Sequence, residues 1–127
     1  MRIEIAKVFD VIVIRLVGTF NEEIDLGKGI VRCHPLDTAA KVLINFHEVD
    51  YINSNGLRAL AKLNQMLATK GGDLRLCSLP QNVRQLFKFA KLDNGYHIYN
   101  GEDEGISSFY NKFVNPDILA LRVVYTG

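Results

Sequence analysis

Tyr51-Ile52-Asn53-Ser54-Asn55-Gly56-Leu57 lies between two periods of the sequence. Upstream, Val42-Leu43-Ile44-Asn45-Phe46 is a short apolar run rich in branched residues, the pattern of a buried strand. Downstream, Leu57, Leu60, Ala61, Leu63, Leu67 and Ala68 recur at steps of three and four, which predicts a helix over 56–70. A strand, a polar loop and a helix leave free backbone N–H groups at the junction. Such donors attract anions or side-chain oxygens. Ser54 is expected as the N-cap, with Asn53 and Asn55 as competing oxygens. On a structural reading these residues only cap a helix; on a functional one the loop is a recognition surface.

The flanking chain alternates strands and helices. Residues 1–18 read as a strand pair turning at Phe9-Asp10, with Arg15 expected near a strand end or at a rim. Residues 20–41 suggest a short or broken helix, because Gly27 and Gly29 weaken a helix interior and Pro35 ends one. Gly71-Gly72 is a helix stop, with one glycine suited to the left-handed C′ position. Strand 73–77 follows, with Cys77 as a buried structural thiol. A helix then starts at Pro80 with Val83, Leu86, Phe87 and Ala90 on one face. After a turn at 92–95, residues 96–99 form a short strand on which His97 is a surface residue. Glu102-Asp103-Glu104 suits a first helical turn, with Ile106, Phe109 and Phe113 as the apolar stripe. Asn115-Pro116 breaks that helix, and the alternation over 118–125 predicts one further strand. The expected architecture is an α/β domain over 1–127, with 116–127 as a C-terminal extension whose strand covers a sheet edge or pairs with a second copy in a homodimer.

Composition bounds the function classes. At 127 residues, 48% hydrophobic and 23% charged, the chain fits one globular domain with a real core. A net charge of +1 with scattered Lys and Arg argues against a dedicated nucleic-acid surface. Cys33 and Cys77 match no metal-ligand spacing, and the Cys33-His34 pair lacks two further ligands, so no metal and no cofactor are expected. The apolar run 11–17 is too short to cross a bilayer and contains Arg15. With no signal-peptide pattern, the expected location is cytoplasmic, without membrane insertion.

The ordered set of signatures resembles the STAS domain family of bacterial anti-sigma factor antagonists. The residues that carry it are Asn45-Phe46, the loop 51–57, Gly71-Gly72 with strand 73–77, Pro80-Gln81-Asn82-Val83-Arg84-Gln85-Leu86-Phe87 and Leu92-Asp93. The resemblance implies a small mixed sheet with helices packed mainly on one face. It also implies a switch rather than an enzyme. An unphosphorylated domain binds an anti-sigma factor that is a serine kinase, and phosphorylation at the helix start separates the two. A phosphate adds nearly two negative charges there.

The sequence departs from that family pattern at the loop. The acidic position is Asn53, and Asn21 and Asn45 also stand where acids are common in the family. The resemblance places the phospho-acceptor immediately before the glycine, which here is Asn55, an amide. Ser54 is the one hydroxyl on the polar stretch 53–57 and the one alternative acceptor. As an N-cap it would point inward, poorly presented to a kinase. The expected function is therefore a non-enzymatic antagonist that binds its partner through Asn53, Ser54, Asn55, Gly56 and Leu57 without the usual phospho-switch. The alternatives are a STAS accessory subunit of a transport or stress-signalling complex, and a small ligand-binding domain with the loop as anion cradle. Against the last stands the lack of a paired base, nucleophile or metal cluster.

Overall fold

The computed structural model describes residues 1–21, 25–28, 30 and 39–110. Strand β1 (Arg2–Val8) turns at Phe9-Asp10 into β2 (Val11–Phe20), which it pairs antiparallel. Phe9 takes a φ of 58°, the left-handed conformation that the two-residue turn demands. Strands β3 (Lys41–Ile52), β4 (Asp73–Cys77) and β5 (His97–Tyr99) then add in parallel, giving one sheet of order β1-β2-β3-β4-β5. Helix α1 (Ser54–Thr69) links β3 to β4, α2 (Gln81–Phe89) links β4 to β5, and α3 (Glu102–Ser107) follows β5. This is the mixed α/β sheet expected from the sequence.

Period-two alternation sorts the side chains onto two faces. Ile12, Ile14, Leu16, Val42, Ile44, Phe46, Leu74 and Leu76 point to one face, where Leu60, Leu63 and Leu67 of α1 and Val83 and Phe87 of α2 cover them. Phe46 and Phe87 meet edge to face with centroids 6.3 Å apart. Each such fully buried side chain contributes about 1.5–3 kcal/mol relative to exposure. Val11, Val13, Leu43 and Cys77 point the other way, and among the described residues α3, through Ile106, packs on them with Tyr99, Phe109 and Tyr110 at the margin. The helices thus lie mainly on one face, with α3 on the other. Burial pushes the Cys77 thiol up to about 12, so it remains a neutral core group.

Several expectations shift in detail. The strand seen in residues 42–46 continues to Ile52, because β2 keeps pairing with it through two register shifts, between Arg15 and Val17 and between Gly18 and Thr19. Helix α1 begins two residues before the expected start and stops at Gly71, whose φ of 75° and N–H bond to Ala68 O close it. Arg15 is at neither an end nor a rim: it sits mid-strand in β2 and half-buried. The expected strand over 118–125, Phe113, Cys33, His34 and Pro35 lie outside the described residues.

Candidate functional site

The junction between β3 and α1 is built by Asn53. Its backbone is extended, with φ −121° and ψ −171°, and its Oδ1 accepts from Asn55 N at 3.0 Å and Gly56 N at 3.2 Å. Its carbonyl accepts from Leu57 N at 3.0 Å, and its own N–H donates to Phe20 O at 3.2 Å. Asn53 is therefore the N-cap, and the expectation that Ser54 fills this role is corrected. The chain runs extended through Asn53 and turns helical at Ser54, so the geometry places the Asn53 oxygen, not the Ser54 hydroxyl, over the free donors. Ser54 is exposed as the first helical residue, and among the described residues its hydroxyl has no hydrogen-bond partner.

Asn55 is also committed. Its Nδ2 donates to Asn21 O at 3.3 Å, and its Oδ1 accepts from Arg58 Nη1 at 2.8 Å. The amide thus bridges the end of β2 to the first turn of α1. Gly56 is buried against the same place: a Cβ there would lie 2.5 Å from Phe20 O and 2.8 Å from Ile52 Cγ1. Only glycine lets α1 approach β2 this closely. Leu57, half-buried, turns toward α2.

A groove of about 460 Å³ opens beside this junction, lined by Tyr51, Ile52, Asn53, Ser54, Leu57, Asn82, Val83 and Leu86. One wall is the start of α1, the other the start of α2, and Asn82 Nδ2 ties the second wall to β3 by donating to Asp50 O at 2.8 Å. Tyr51 is 54% exposed at the mouth, an unusual exposure for an aromatic side chain at a strand end. All five residues proposed from the sequence come together here, and Asn53, Ser54 and Leu57 line the groove. Sequence reasoning missed the contribution of α2. The signal was available in Asn82 and Leu86, which stand one helical turn apart on the same side.

A second polar cluster lies on the opposite face of the sheet. Arg15 donates from Nε and Nη2 to both oxygens of Glu102, each at 2.8 Å, and Asn45 Nδ2 donates to Glu102 Oε2 at 2.5 Å. The Arg15 hydrogen bonds, assisted by Asn45 and opposed by burial, hold the Glu102 carboxyl below its ordinary range. Asn45 Oδ1 accepts from His47 N at 2.8 Å, so Asn45 is a structural residue distant from the loop. His97 is exposed on β5, as expected. No group of three metal-ligating side chains occurs among the described residues, and none of their helices is long and apolar enough to cross a membrane.

Comparisons with known proteins agree with this geometry. BtrV of Bordetella bronchiseptica, provisionally named an anti-sigma factor antagonist, is 28% identical over 69 residues, which is 54% of this chain and 60% of BtrV. The chain thus matches about 60% of the length of that curated relative. Among solved structures, the provisionally named anti-sigma factor antagonist tm1081 of Thermotoga maritima is similar with a TM-score of 0.71 and 22% identity, over 84% of this chain and 92% of tm1081. The Bacillus cell fate determinant SpoIIAA in its phosphorylated form gives a TM-score of 0.63 at 19% identity, over 86% of this chain and all (100%) of that one. The model of the STAS domain matches residues 2–105, which take in the whole sheet, the Asn53-capped junction and both walls of the groove, and the chain therefore belongs to the STAS domain family.

Proposed function

We propose that this chain is a non-enzymatic, cytoplasmic regulator of the anti-sigma factor antagonist type. It receives an anti-sigma factor/serine kinase partner in the groove between α1 and α2. The observation that carries this reading is the groove itself. Tyr51, Leu57 and Leu86 give it an apolar lining, the stretch 51–57 that forms its rim contains no charged side chain, and its position is the loop-helix junction of the family.

The expectation of a loop without a switch rested on Asn55, which has no hydroxyl, and on Ser54 facing inward. The second premise does not hold, since Asn53 is the cap and Ser54 faces outward on the groove. We therefore assign the switch to Ser54. The name of SpoIIAA, solved in a phosphorylated form, supports a phospho-regulated reading of the fold. A phosphate on Ser54 would carry about −1.5 to −2 charges into a surface that a partner must dehydrate. The fold would tolerate it, because the start of α1 favours negative charge by about 0.3–1 kcal/mol.

The test pairs this chain with an anti-sigma factor/serine kinase recovered with it from its native cell. Calorimetry should find Ser54→Ala binding like the wild type, and Ser54→Glu and Tyr51→Ala at least about tenfold weaker, equivalent to about 1.4 kcal/mol. After incubation with kinase and ATP, mass spectrometry should place the phosphate on Ser54. Unchanged affinity in both Ser54→Glu and Tyr51→Ala, with intact melting curves, removes the groove from the interface.

A further inference from the structure

The β1 edge of the sheet is self-complementary. β1 is the outermost strand, and among the described residues no strand flanks its outer side. Val8 and Val11 pair across the two-residue turn. The pair flanking such a turn is hydrogen-bonded, and alternate pairs thereafter direct their N–H and C=O groups away from the partner strand. By that alternation the backbone groups of Ile3, Ile5 and Lys7 face outward. The edge is seven residues long and carries no proline or bulge; its charges, Arg2, Glu4 and Lys7, oppose pairing in any register that leaves them facing one another unmatched. Two of the exposed large apolar side chains stand on it or directly before it, Ile5 at 37% within β1 and Met1 at 43% just ahead of it.

A second copy related by a two-fold axis normal to the sheet would pair antiparallel, with residues of the same face opposite one another. Three central registers are then open. Centred on Glu4, the seam sets Glu4 against its own copy, which is destabilising. Centred on Ile5, it sets Ile3 against Lys7 and Glu4 against Ala6, with no charge pair. Centred on Ile3, it sets Arg2 against Glu4 twice on one face and Met1 against Ile5 twice on the other. That register pairs every charge it contains and covers both exposed apolar side chains. Within one copy the Arg2–Glu4 pair is loose, 3.9 Å apart on side chains 68% and 50% exposed, so it gives little resistance to exchange.

We propose that β1 pairs with β1 of a second copy in the register centred on Ile3, joining the two sheets edge to edge. The interface is isologous and small, so association is weak and depends on concentration. β1 and the groove are separated by β2, so the dimer leaves both grooves open to their partners.

Sedimentation equilibrium on protein tagged at the C-terminus, from about 10 µM to about 1 mM, tests this in the range where small interfaces associate. The wild type should dimerise. Arg2→Glu and Glu4→Arg should each weaken dimerisation about tenfold or more, because each replaces two attractive pairs by two repulsive ones. The double variant R2E/E4R should return to near the wild-type constant. Glu4 also lines a pocket with Arg15. Melting curves of each variant, and the variant Ile5→Lys, which breaks the apolar side of the seam, therefore accompany the series. A wild type that stays monomeric throughout, or a double variant that fails to recover with its fold intact, overturns the proposal.

Discussion

Replacing Gly56 by alanine tests the closeness on which the groove depends. A Cβ built at Gly56 lies 2.5 Å from Phe20 O, 2.8 Å from Ile52 Cγ1 and 3.1 Å from Phe20 Cγ. The first of these contacts is with backbone in β2, which is paired with Ile52 of β3 at that point, so α1 must retreat. In favour of the substitution, alanine is a better helix former than glycine by about 1 kcal/mol. Against it, overpacking at a site that cannot yield costs about 1–3 kcal/mol or more. Retreat also stretches the Asn53 N–H bond to Phe20 O, 3.2 Å long, whose loss costs about 0.5–1.5 kcal/mol. The net effect is a destabilisation of about 2 kcal/mol, seen as a fall of about 6–10 °C in Tm for a chain of this size. Urea unfolding should show the same loss in midpoint with an unchanged slope. An unchanged or raised Tm would mean that α1 is not seated against β2 as described, and the shape of the groove would fall with it.

The remaining expectations concern the cap and the second polar cluster. Asn53→Ala should cost about 0.5–2 kcal/mol, Asn53→Asp should retain the cap, and Ser54→Ala should leave stability unchanged; a larger loss from Ser54→Ala than from Asn53→Ala in thermal melts would reverse the assignment of the cap. The Glu102 carboxyl is held below its ordinary range, first by its hydrogen bonds from Arg15. Its folded-state pKa is thus below its unfolded one, so its contribution is complete above the ordinary glutamate range and is lost as the pH falls through the depressed folded value. Glu102→Gln should be less stable at neutral pH and should lose less on acidification than the wild type; parallel curves of stability against pH would contradict the pairing.

Much of the fold was legible because local patterns carried it. The branched run 42–46, the three-and-four spacing after Leu57 and the glycine stop at Gly71 each constrain the backbone within a few residues. What escaped the sequence depends on contacts between remote segments. The pairing of Arg15 with Glu102 spans 87 residues, and nothing local tells a strand arginine at a rim from one whose partner lies at the start of a helix on the far face. The extension of β3 beyond Phe46 was hidden for a similar reason: His47 and Glu48 are polar and exposed, and only the backbone of β2 keeps them in the sheet. The cap was misplaced because serine and asparagine are near equals at that position. The choice between Asn53 and Ser54 turns on which residue is the last extended one, a matter of one residue that propensity does not resolve.

That one residue alters the logic of the site. Were Ser54 the cap, its oxygen would be taken up by the backbone and poorly presented to a kinase. With Asn53 in that role, the N–H groups of Asn55, Gly56 and Leu57 are already bonded to Asn53 through its side chain and its carbonyl. The helix start is then complete without Ser54, and the hydroxyl is free for exchange with a partner or a phosphate. A charge there interacts with the dipole of α1, which tolerates it, and with whatever occupies the groove, which must desolvate it at a cost of several kcal/mol unless a matched cation is supplied. The same bonding bears on Asn55-Gly56, a pair chemically prone to deamidation. That reaction requires the Gly56 nitrogen to attack the Asn55 amide carbon, yet this nitrogen donates to Asn53 Oδ1 and the amide is held by Arg58 and Asn21. The loop is thereby protected from gaining charge by accident at Asn55, and on the function proposed above Ser54 is the position at which a modification would add it.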